Sequence, residues 1–100
     1  MSSILLKKID ILEKVGFEKQ LEFSINKLID FQLAKYQKLI QDINVDLQVF
    51  ENKYKMQSQA FYEKFNTGEL GDDSDYIEWA ALYESIVYYS DKLTLLKSAA

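Results

Sequence analysis

The chain contains no proline, and its only three glycines stand at positions 16, 68 and 71. From about Glu18 to Tyr54 nothing therefore breaks a helix, and apolar residues recur at 3.6-type spacing with no sustained strand alternation. One hundred residues is the size of one domain. The expected fold is all-α: a single helical domain built as a long antiparallel helical hairpin in a coiled-coil-like bundle. Its helices are placed at about 3–15, 18–54, 58–66 and 75–97.

Ser2 or Ser3 can cap the first segment, which runs to Val15. Gly16 suits the left-handed position after a helix, with Phe17 folding back on Leu12 as in a Schellman ending. A short strand over "ILLKKIDIL" is the alternative. The second segment spans roughly 55 Å at 1.5 Å per residue. Its stripe, Leu28, Gln32, Tyr36, Leu39, Ile43, Leu47, Phe50 and Tyr54, repeats every eleven residues, which keeps one face aligned on a nearly straight helix. Ile25, Ile29, Leu33 and Ile40 widen the stripe, and Phe23, Phe31, Val45 and Val49 lie partly off it. So broad an apolar perimeter calls for more than one neighbouring helix.

Ser58 introduces a short helix carrying Phe61 and Phe65 on one face, ended by Thr67 and Gly68. Leu70, between two glycines, is expected to plug into the core. Asp75 is expected to cap the last helix, with Glu78 reaching back as a capping box. On that helix Trp79, Leu82, Ile86, Tyr89, Leu93 and Leu96 form a heptad seam, flanked by Tyr76, Ala80, Tyr83 and Val87. Burying six large apolar side chains is worth about 9–18 kcal/mol, comparable with the whole stability of a domain at about 5–15 kcal/mol. The seam must be covered, by the long helix or by another chain. The long helix outreaches its partner by roughly 20 Å. With apolar faces left over, a homo-oligomer is expected, a dimer first of all.

Charge and missing residue types narrow the function. Residues 1–55 hold nine Lys against eight carboxylates, and residues 56–100 three against eight. All twelve cations are Lys, so the bidentate guanidinium contacts that read phosphate and guanine are unavailable to this chain. No direct nucleic-acid binding is expected; a basic protein partner suits the acidic half better. There is no Cys and no His, which removes disulfides, thiolate metal sites, the commonest general base and every Ser/His triad. An enzyme is not expected, nor a cofactor. No apolar run reaches the roughly 18 residues of a membrane span, and the first twelve residues are too charged for a signal sequence, so the expected location is cytoplasmic.

The link "FNTGELGDDSDYIEW" carries Glu69, Asp72, Asp73, Asp75 and Glu78 with no cation. These are hard oxygen ligands suited to Mg²⁺ or Ca²⁺, but the order of an EF-hand loop is absent. Glu69/Asp72 and Asp75/Glu78 have the i, i+3 spacing by which all-α nucleotide pyrophosphatases hold Mg²⁺, which such enzymes present from two facing helices. Asp10/Glu13 is the one distant pair that could complete such a site. The simpler reading is that carboxylates gather where a helix dipole favours them, at about 0.3–1 kcal/mol each. Likewise, most tyrosines fall on the apolar stripes and read as packing, Tyr62 and Tyr88 lying more toward the polar side.

Residues 53–79 follow the pattern K-Y-x-M-x-S-x-x-F-Y-x-x-F-x-x-G-E-L-G-D-D-x-D-x-x-E-W, carried by Lys53, Tyr54, Met56, Ser58, Phe61, Tyr62, Phe65, Gly68 and the acidic link through Trp79. This segment, about a quarter of the chain, resembles one found in small bacterial and archaeal helical proteins, many uncharacterised, some of which resemble antitoxin components encoded beside a small toxin. Lys55 stands where those relatives often carry Gly. The resemblance implies a non-catalytic protein that neutralises a partner. Glu69, Leu70, Asp72, Asp73, Asp75, Glu78, Trp79 and Tyr83 are then the expected partner-binding residues, the carboxylates opposing basic groups and Trp79 and Tyr83 anchoring apolar contact. A Mg²⁺-dependent pyrophosphatase-like enzyme and a purely structural homo-oligomer are the alternatives.

Overall fold

Ser2 opens the first helix: its hydroxyl accepts from the backbone N–H groups of Ile4 and Leu5, two donors that a helix start leaves unsatisfied. In the computed structural model, which describes residues 2–99, four helices follow in order: α1 (Ser3–Lys14), α2 (Glu18–Tyr54), α3 (Ser58–Asn66) and α4 (Ser74–Ser98). The first segment is thus helical, and the strand alternative falls away. The chain is all-α, as its periodicity predicts.

The turn after α1 is the expected Schellman ending. Gly16 adopts φ 89°, the Phe17 N–H donates to the Leu12 carbonyl at 2.9 Å, and the Gly16 N–H donates to Glu13 at 3.1 Å. Gly68 closes α3 by the same pair of bonds, to Phe65 and Lys64. The end of α2 uses the same left-handed turn without glycine: Lys55 sits at φ 55°, and the Met56 N–H donates to the Glu51 carbonyl.

α2 and α4 run antiparallel. Tyr36 meets Tyr89, Phe50 meets Trp79 and Tyr54 meets Tyr76, with ring centroids 5.6, 5.7 and 5.3 Å apart. As α2 advances, its contacts on α4 step backward. The hairpin closes at the α3 end, where Leu47, Phe50, Phe61, Trp79 and Ala80 are buried and Ile43, Met56, Phe65, Leu70, Tyr76, Leu82 and Ile86 surround them. α4 stops beside Gln32 and Tyr36, so the first fourteen or so residues of α2 extend roughly 20 Å beyond it.

α1 folds back on this overhang and touches no other helix; Ile9 and Glu13 face Leu21, Glu22 and Ile25. No α1 residue is buried. The molecule measures 60 × 24 × 19 Å with a radius of gyration of 19.9 Å, against about 13 Å for a compact chain of this length. Among the described residues no helix is long and apolar enough to cross a membrane.

The start of α4 corrects one expectation. Asp73, not Asp75, is the N-cap, its carboxylate accepting from the Asp75 N–H at 2.9 Å. The third residue after Asp73 is Tyr76, so Glu78 cannot complete a capping box. Either aspartate satisfies the local rule; Asp75 is withdrawn from capping because α2 claims its side chain.

Candidate functional site

That claim is a three-residue cluster. Lys53 Nζ donates to Asp75 Oδ2 at 2.7 Å, and the Tyr54 hydroxyl donates to the same oxygen at 2.6 Å. The Lys53 hydrogen bond, then that of Tyr54, holds the Asp75 carboxyl below the ordinary carboxylate range. Tyr54 is raised, chiefly by its bond to Asp75 and then by desolvation; Lys53 is raised by its bond to, and attraction toward, the same carboxylate. Asp75 therefore fastens the start of α4 to the end of α2 and offers its charge inward.

Beneath this lies a second polar chain. The N–H of Ser58 and its hydroxyl both donate to Glu51 Oε2, at 2.9 and 2.7 Å, and Ser58 Oγ accepts from Trp79 Nε1 at 2.9 Å. Glu51 thus supplies from α2 the carboxylate that the first turn of α3 needs, and Gln57 at the cap position makes no side-chain bond. Ser58 is buried, and its oxygen is engaged as both donor and acceptor, so it is held as a strut and not presented as a nucleophile.

The expected partner-binding residues now divide. Trp79 is fully buried and Leu70 packs against the core, so both hold the fold together and leave little for a partner to touch. Asp73 caps α4 and Asp75 is bonded within the chain. Glu69, Asp72 and Glu78 are exposed, and none of them makes an ion pair among the described residues. Tyr83 is half-buried and opens onto a groove.

This groove lies between α3 and α4, lined by Gln59, Tyr62, Glu63, Tyr83, Glu84 and Val87. The rings of Tyr62 and Tyr83 lie 4.8 Å apart and form its floor. The Tyr62 hydroxyl donates to Glu84 at 2.7 Å, which raises the Tyr62 pKa and fixes that carboxylate at the rim. Glu63 supplies a second exposed carboxylate. Between residues 56 and 91 there is one Lys, Lys64, against eight carboxylates. The groove therefore joins aromatic area to negative charge, which suits a Lys- or Arg-bearing segment with an apolar stem. The sequence marked Tyr62 as lying off the apolar stripe, but the convergence of Tyr62, Glu63 and Glu84 depends on how α3 crosses α4, which spacing within either helix does not encode.

The acid pairs do not converge on an ion. Asp10 bonds Lys14 at 2.9 Å on α1, which touches only the start of α2, the opposite end of the long helix from the link. Among the described residues no group of three carboxylates is placed to hold a metal. Comparison with protein-family models, with curated proteins and with solved structures found no match.

Proposed function

We propose that this chain is a non-catalytic, cytoplasmic interaction module that binds a small basic protein through the acidic-aromatic groove of α3 and α4. The observation that carries the reading is the Tyr62–Tyr83 floor with Glu63 and Glu84 at its edge, open to solvent on the acid-rich half of the molecule. Glu69, Asp72 and Glu78 add exposed negative charge on the same half. Such a field speeds encounter with a cationic partner, and the tyrosine floor supplies apolar contact after docking. The resemblance of residues 53–79 to antitoxin-like proteins gives the same partner chemistry: a small basic toxin neutralised by occlusion.

The test is co-purification with the product of a small basic open reading frame beside the gene, using the wild type and Glu63→Lys/Glu84→Lys. Salt-sensitive binding weakened tenfold or more by the double reversal supports the reading. Binding that the reversal leaves unchanged, or no binding, sinks it.

A further inference from the structure

Of seventeen large apolar side chains exposed among the described residues, eleven fall between residues 4 and 31, on α1 and the overhang of α2. Leu28 continues the same α2 stripe that meets α4 lower down, but α4 has ended before reaching it, and it is 64% exposed. Phe23 and Phe31 are 63% and 67% exposed, and Ile4 on α1 is 66% exposed. α1, twelve residues long and resting on α2 alone, is of a length that is marginal by itself in water.

We propose that a second copy of this chain covers this arm, the α1–α2 hairpins of two protomers packing about a two-fold axis into a four-helix layer. Two quantities select that occupant. The accessible surface is 7585 Å², whereas a compact monomer of 11.7 kDa exposes about 5,900 Å². The excess, about 1,700 Å², exceeds the roughly 800 Å² per partner that a stable interface buries. Charge selects the same occupant. Residues 1–31 hold five Lys and five carboxylates, and residues 32–100 hold seven Lys and eleven carboxylates. Two copies meeting arm to arm bring together neutral, mixed-sign surfaces, whereas meeting through their acidic ends sets like charge on like. The arm's neutrality likewise gives a basic protein no reason to prefer it over the groove.

Sedimentation equilibrium of the full chain at micromolar concentration tests this. The expected mass is twice 11.7 kDa, shifting to the monomer in Leu28→Glu/Phe31→Glu with helical circular dichroism retained, and staying dimeric in Glu63→Lys/Glu84→Lys. A monomeric wild type overturns the proposal, as does a dimer that survives the arm substitutions. Loss of the dimer on reversing the groove carboxylates assigns the interface to the groove and overturns it equally. Partner binding by the groove is read separately, so either conclusion can fail alone.

Discussion

The indole of Trp79 lies flat on the ring of Phe61, centroids 3.8 Å apart and planes within 4°, and both side chains are wholly buried. The contact is more nearly face-to-face than the offset or edge-on arrangements that ring electrostatics favour. What holds it is enclosure: Phe50 and Tyr54 also stack near Trp79, at 5.7 Å each, and its Nε1 is tied to Ser58. Three helices meet at this one residue.

Replacing Trp79 or Phe61 by Ala should therefore cost about 3–5 kcal/mol, a large part of a domain stability of about 5–15 kcal/mol. Urea unfolding followed by far-ultraviolet circular dichroism checks it, and a loss under about 1 kcal/mol would contradict the central role given to this pair.

Ser58→Ala leaves Trp79 Nε1 and one Glu51 contact without a partner, and should destabilise by about 1–3 kcal/mol. Glu51→Gln should cost less, since an amide oxygen can still accept from the Ser58 N–H. Because Ser58 links both neighbours, the double variant should fall short of the sum of the singles. Strict additivity in a double-mutant cycle would show that the chain Glu51–Ser58–Trp79 does not act as a unit.

Lys55 holds a left-handed conformation that costs a residue with a side chain roughly 1–2 kcal/mol. Glycine adopts it freely but gives up more freedom on folding, so Lys55→Gly should raise stability by about 0.5–1 kcal/mol. Lys55→Ala, which keeps the strain, should show no gain. Equal urea midpoints for the wild type and the glycine variant would refute this account of the turn.

The Asp75 cluster sets a pH window. A carboxyl held below its ordinary value of 3.8 stabilises the fold fully above that value, and the benefit disappears as pH falls through the lower folded-state value. Tyr54 and Lys53, raised from 10.0 and 10.5, contribute fully below those values and lose their contribution as pH climbs through the raised ones. The stability difference between the wild type and Asp75→Asn should be constant across the neutral range and shrink at both extremes. Urea midpoints in acid and neutral buffer measure it; a difference that persists undiminished in strong acid would show that the charge of Asp75 is not what matters.

Features decided within a few residues were readable in advance. Gly16 and Phe17 announced the end of α1, and the spacing of Trp79, Leu82, Ile86 and Tyr89 announced the face of α4 that α2 covers. Features decided by choice between equivalent neighbours were not. Asp73 and Asp75 both fit the cap, and what separates them is Lys53 and Tyr54, more than twenty residues earlier. Ser58 was legible only as the residue that introduces a short helix; its burial follows from Trp79 arriving against it from α4. The Tyr62–Glu84 groove, formed across two helices, carried no periodic signal at all.

Among the described residues all five buried core side chains come from residues 47–80, and this has a consequence for synthesis. Chains emerge N-terminus first at about 5–20 residues per second, so the oily leading hairpin is outside for seconds before Trp79 exists to close anything behind it.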